Sequence, residues 1–318
     1  MYHNIIHVDG IDKTGKSTLR AYMTRQTNGR YSVYDRSHIS QIVYNRLFNR
    51  NMNETFYWDK MARDYLSGEK FVYLYCDNSV IVSRIALTNE KDITVYDIQK
   101  HKEMFECVVK EAIEIYNINV IQINVSNKTV DEIYLEIQKH VLRDTINNCR
   151  ECELCNLKVN EKDFAAGSGK LVPNIISNKP KYLIVGMNPS TKRTANTQHP
   201  FDVTESNLKN AVFVNILKKY DIYNQSVITN IVKCSTANNI ITIIDFDACR
   251  FHLEAEIELF KPQYIICLGN VVYDFLSVFN DFNNRLIKIH HPAYQYAYNK
   301  MTVEEYDQHI YDCIKHTL

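Results

Sequence analysis

The chain carries Gly10-Ile-Asp-Lys-Thr-Gly15-Lys16-Ser17-Thr18 directly behind a short apolar run, Ile5-Ile-His-Val-Asp9. A G-x-x-x-x-G-K-S stretch constrains the fold strongly, because it needs a strand to deliver it and a helix to receive it. Its glycines let backbone N–H groups wrap a phosphate that the helix N-terminus also faces. Leu19 to Gln26 continue as that helix, so the chain opens as a parallel α/β sheet. Gly10, Asp12, Lys13, Thr14, Gly15, Lys16, Ser17 and Thr18 then line the phosphates of a nucleotide. Lys16 reaches the outer phosphates and Ser17 ligates Mg2+.

With 318 residues the chain is long enough for two ordinary domains. Lys+Arg and Asp+Glu both number 37, so no global field draws it to a polyanion, and contact with nucleic acid has to come from a local patch. Nine cysteines, an odd count, with no charged-then-apolar leader, point to a reducing cytoplasm. No apolar run approaches the ~18 residues of a membrane span.

The wording of residues 8–18 resembles the phosphate loop of the thymidylate kinase family. That family follows the loop with a strand ending in Asp-Arg, and Tyr31-Ser-Val-Tyr-Asp35-Arg36-Ser37 supplies the same pair. The resemblance implies an ATP-dependent nucleotide kinase, with Asp35 near the magnesium or the acceptor and Arg36 near the acceptor phosphate or the transferred group. Residues 39–44 resemble the helix beside the acceptor site. A strand at 71–75 with a turn and helix behind it, a strand at 119–124 and a helix over 129–142 complete a small sheet. The sequence departs from the family in two places. A strand and helix carrying part of the nucleobase pocket are missing between the first helix and Asp35, and the arginine-rich lid is reduced to Arg84 with Lys91, Lys100 and Lys102 nearby.

Near the middle stands Cys149-Arg-Glu-Cys152-Glu-Leu-Cys155. Thiols spaced by three on so short a segment suit a metal ion or an iron–sulfur cluster. Downstream lie Cys234 and Cys249, near expected element ends. Cys152, Cys155, Cys234 and Cys249 make the expected ligand set, with Cys149 as a spare. Cys76, Cys107, Cys267 and Cys313 read as small buried hydrophobes.

Beyond the cysteines come Lys181-Tyr-Leu-Ile-Val185 running into Gly186-Met187-Asn188-Pro189, then Thr229-Asn230-Ile-Val-Lys-Cys234, Tyr264-Ile-Ile-Cys-Leu-Gly269, and His290-His291-Pro292. A strand ending in glycine, then a polar residue and proline, presents a side chain at the mouth of a parallel sheet. Taken in order, residues 149–296 resemble the uracil-DNA glycosylase superfamily, most of all its iron–sulfur family 4. The resemblance implies a [4Fe–4S] cluster on the four cysteines. It also implies that Asn230 reads the pyrimidine edge, that His291 stabilises charge on the departing base, and that Phe201 stacks on it. Where family 4 carries acidic residues, this chain has Met187 and Asn188, as in the single-strand-selective and mismatch-specific branches, so Asn188 is the expected water holder. Lys192 and Arg193 are candidate phosphate contacts.

The expected architecture is α/β with two domains, a P-loop kinase-type sheet over residues 1–145 and a glycosylase-type α/β/α domain over residues 146–318. The leading functional expectation is a fusion of a nucleotide kinase with a uracil-DNA glycosylase, acting on nucleotides and DNA, of the kind a virus or phage uses to manage thymine-like bases. One alternative is a base-modification protein that phosphorylates a hydroxymethylated pyrimidine in DNA and uses the second domain as a base reader. Another is a non-catalytic nucleic-acid or nucleotide sensor.

Overall fold

A computed structural model describes residues 4–27, 31–88, 95–149, 151, 172–189, 208–234, 241–279, 282–298 and 300–318. The chain divides into two units, Met1–Val141 and Leu142–Leu318. Among the described residues no helix is long and apolar enough to cross a membrane.

In the first unit the elements run β1 (Asn4–Gly10), α1 (Lys16–Gln26), β2 (Tyr31–Asp35), α2 (His38–Phe48), α3 (Glu54–Leu66), β3 (Lys70–Tyr75), α4 (Asn78–Thr88), α5 (Val95–Glu114), β4 (Val120–Asn124) and the start of α6 (Val130–Asn148), whose residues from Leu142 on belong to the second unit. The four strands pair in parallel in the order β2-β1-β3-β4. β3 lies inside the sheet and is covered on both faces, so Phe71, Val72, Tyr73 and Leu74 form one unbroken buried run. Ser37 starts α2: its Oγ accepts the Ile39 N–H at 3.0 Å and donates to Asp9 Oδ2 at 2.5 Å. Arg46 then ties α2 to α3 and α5 through two-pronged bonds to Glu54 and Glu111.

Two expectations need correction here. The last helix runs to Asn148 rather than ending at residue 142, because residues 143–148 hold no Gly or Pro and Leu142 and Ile146 lie buried one turn apart. Cys107 is exposed on α5, where its Sγ donates to Glu111 Oε1 at 3.4 Å, so it is not a core residue.

In the second unit the order is β5 (Asn174–Ile175), β6 (Tyr182–Gly186), α7 (Leu208–Lys219), β7 (Ser226–Asn230), α8 (Ile243–Phe260), β8 (Tyr264–Leu268), α9 (Asn270–Ser277), β9 (Leu286–Ile289), α10 (Ala293–Tyr296) and α11 (Val303–Ile314). The sheet order is β5-β7-β6-β8-β9, parallel except for β5. Strand residues alternate between two cores. Leu183, Val185, Val227 and Ile265 face α8 and α9, while Tyr182, Ile184, Ile228 and Ile266 face α7 and α11. That period of two places helices on both faces of the sheet. Capping boxes at Thr242/Asp245 and Thr302/Glu305 fix where α8 and α11 begin.

Candidate functional site

Because β6, β7, β8 and β9 are parallel, their C-terminal ends share one edge of the second sheet. Met187-Asn188, Asn230, Gly269 and His290-His291 all lie at or just beyond these ends, where ligands bind in open α/β sheets. Asn230 pairs with Gly186 in register, and the ladder continues past the strand through Ile231 N–H to Gly186 O at 2.9 Å and Val232 N–H to Met187 O at 3.0 Å. The backbones carrying Asn188 and Asn230 are therefore fixed side by side.

Each side chain has a distinct state. Asn230 is 2% exposed, and its Nδ2 has no hydrogen-bond partner among the described residues. Asn188 is half-buried and donates from Nδ2 to Pro189 O at 3.1 Å. His291 accepts the Ala293 N–H at Nδ1 (3.1 Å). An imidazole that accepts at Nδ1 while neutral carries its proton on Nε2, so His291 is a donor at Nε2 without being charged.

Residues that no sequence motif had singled out support this edge. Lys233, 2% exposed, donates to Asn230 O at 2.6 Å and Thr229 Oγ1 at 2.7 Å, and lies 2.6 Å from Glu256 Oε1. Burial pushes the Lys233 ammonium down in pKa and the Glu256 carboxyl up, each opposed by its partner's charge. The loop bearing His291 is held from α11, where Tyr306 Oη donates to His290 O at 2.8 Å and His309 Nε2 accepts the His290 N–H at 3.1 Å.

Of the expected ligands, Cys234 and Cys249 are both buried in the same apolar core. Cys249 sits in the second turn of α8 instead of near an element end. Cys152, Cys155, Phe201, Lys192 and Arg193 lie outside the described residues. Cys267 is an inert core thiol, pushed up to about 12 by burial.

The first unit has its own candidate site at the end of β1. Gly10 has φ 145°, and a Cβ there would stand 2.3 Å from Leu74 O, so only glycine fits where the chain leaves the sheet. Gly15 (φ 93°) and Lys13 (φ 72°) complete the left-handed turns of the loop before α1. Lys16, 5% exposed, donates from Nζ to Gly10 O and Ile11 O, both at 2.8 Å, and burial pulls its pKa below the usual lysine range. Thr14 is buried, and its Oγ1 donates to Ile11 O at 2.7 Å. Ser17 Oγ donates to Asp35 Oδ2 at 2.6 Å, and Asp35 Oδ1 is buried with no hydrogen-bond partner among the described residues. Arg36 has φ 77°, uncommon for a residue with a side chain, and pairs with Asp12 at 3.1 Å. Arg84 reaches the loop from α4, donating to Lys13 O at 2.8 Å.

Residues 173–315 match the family described as the uracil DNA glycosylase superfamily. The type-4 uracil-DNA glycosylase of Archaeoglobus fulgidus is 29% identical over 140 residues, covering 43% of this chain and 62% of that protein. The chain thus spans less than two thirds of that relative's length. Among solved structures, the YorR protein of Bacillus subtilis in complex with phosphorylated GDP is similar over 46% of this chain and 99% of its own, with 20% identity and a TM-score of 0.37. The C-terminal part of the chain carries a uracil DNA glycosylase superfamily domain.

Proposed function

We propose that the second unit hydrolyses the N-glycosidic bond of uracil-type bases in DNA. The observation that carries this reading is the buried Asn230 amide whose donor has no partner among the described residues, at the same sheet edge as the Nε2–H donor of His291. An extruded pyrimidine brings one carbonyl to the Asn230 amide, and to His291 an exocyclic carbonyl oxygen that gains charge as the base departs. The C1′–N1 bond breaks with its electron pair going to the base. Water held by Asn188 adds its oxygen to C1′, and its proton passes to solvent or to the released base. Phe201 stacks on the extruded ring. An amide is a poor base, so turnover rests on charge stabilisation and is slow.

Cys234 and Cys249, two buried thiols in one core, suit a cluster completed by Cys152 and Cys155. A [4Fe–4S] cluster bound there pins remote parts of the chain together. Iron and sulfide analysis after anaerobic purification tests it, and zinc without sulfide rejects it. For the glycosylase itself, free uracil released from single-stranded or duplex DNA, and lost in His291→Ala, is the expected result. No release at any enzyme excess removes the reading.

The first unit we read as an ATP-dependent kinase of the thymidylate kinase type. Gly10, Asp12, Lys13, Thr14, Gly15 and Thr18 would cradle the phosphates, with Lys16 on the outer ones, Ser17 and Asp35 on Mg2+, and Arg36 at the transferred group. The partnerless buried oxygen of Asp35 beside Ser17 is what supports the cation there. Label from ATP should appear on dTMP or dUMP. A second reading takes hydroxymethylated pyrimidine in DNA as the phosphate acceptor and the glycosylase-like unit as base reader. It is favoured by the amide of Asn188 standing where an acid would activate water, and label on such DNA instead of on mononucleotides would establish it.

A further inference from the structure

Four side chains outside both sites converge on the helix-covered face of the first sheet. His7 comes from β1, His38 from the first turn of α2, Asp64 from the last turn of α3, and Glu69 from the turn before β3. His7 Nε2 lies 2.5 Å from Glu69 Oε2, and His38 Nε2 lies 2.8 Å from Asp64 Oδ2. One ligand atom each from His7, Asp64 and Glu69 fall within 4.8 Å of one another. We infer that His7, Asp64 and Glu69 form a binding site for a divalent metal ion of the zinc class, with His38 behind Asp64 as the partner that orients its carboxylate.

The donor set selects that class. An imidazole with two carboxylates and an open position suits Zn2+ and its near relatives, whereas Mg2+ and Ca2+ prefer all-oxygen shells. The spacing suits it as well: around a tetrahedral ion with bonds of ~2.0–2.1 Å, ligand atoms stand roughly 3.3 Å apart, so the His7–Glu69 pair opens by under about 1 Å while Asp64 closes from within 4.8 Å. The His7 ring is prepared for the role. It stacks on Phe71 (4.9 Å, 10°) and on Tyr34 (5.4 Å, 22°), its register partners on the two neighbouring strands, which fixes where Nε2 points. His38 leans on Tyr57 at 6.2 Å. The four side chains are only 12–23% exposed, a setting in which solvent screens two adjacent carboxylates poorly. One divalent ion satisfies both carboxylates at once, and it joins β1, α3 and the turn before β3 at a single point.

The test uses the full chain with its cysteines intact and Co2+ as the probe, because cobalt reports its own ligands. Expected is one equivalent bound per chain with the visible d–d bands of four-coordinate N/O ligation, without thiolate charge-transfer bands, and displaced by Zn2+. His7→Gln and Glu69→Gln should each weaken this equivalent by more than the ~100-fold that bounds the loss of a mere supporting partner. Asp64→Asn, on a more exposed side chain, repeats the test if His7→Gln does not fold. Cobalt bound only with thiolate bands, or bound equally by the wild type and the folded variants, overturns the inference.

Discussion

Lys233 Nζ sits 2.6 Å from the backbone carbonyl of Asn230, so a buried ammonium holds the residue proposed to read the base. Glu256 balances that charge from α8, across the core from β7. Removing one member of a buried pair strands the other's charge, whereas replacing both with apolar groups is often neutral. Glu256→Ala should therefore destabilise the second unit by ~3–5 kcal/mol, and Lys233→Met/Glu256→Leu should recover most of that loss. Urea unfolding of the single and double variants measures it. The double variant also tests positioning: it should fold yet bind uracil-containing DNA more weakly, because Asn230 O has lost its anchor.

Asn230 makes a sharper separation of stability from activity. A buried donor without a partner costs roughly 1–3 kcal/mol, so this amide is held at the expense of the fold. Asn230→Ala should leave the thermal midpoint unchanged or raised while excision falls by ~100-fold or more. A variant that unfolds early and loses activity in proportion would make Asn230 a structural residue.

How much of this could be read from residue order depended on how local each constraint was. The phosphate loop was legible because Gly10, Gly15, Lys16 and Ser17 act within one turn of backbone, and β3 because its buried run is continuous. Helices α3 and α5 carry no motif, only the amphipathic burial of residues such as Trp58 and Met61, and neither was legible in residue order. Lys233 stood inside a recognised segment, but its partner Glu256 lies 23 positions on, at a spacing that only the crossing of α8 over β7 explains. His7 and Glu69 are separated by 62 positions and meet because β1 and β3 are neighbours in the sheet.

At Gly10 the prediction concerns the first unit alone. A Cβ placed 2.3 Å from Leu74 O meets backbone, which cannot rotate away, and φ 145° adds strain for any side chain. Gly10→Ala should push β1 from β3, lower the stability of the first unit by more than ~1 kcal/mol and abolish ATP binding, while uracil excision by the second unit persists. Unfolding followed by Trp58 fluorescence, the chain's one tryptophan, reads the first unit selectively.

Acid should act on the His291 loop through His309. Its Nε2 accepts the His290 N–H, a bond that only the neutral ring can make. Burial first, and His290 second, hold its pKa below the usual 6.5, with Asp312 pulling the other way. A lowered folded-state pKa means the unfolded chain takes up the proton first. The stabilisation is therefore complete above about pH 6.5 and is lost as pH falls through the folded-state value. Excision should show an acid limb in that window, with the loss expressed in kcat as the His291 donor shifts. In His309→Asn, whose side-chain oxygen can accept the same N–H without titrating, that limb should flatten while activity above pH 7 is retained; an unchanged profile would assign the acid limb to another group.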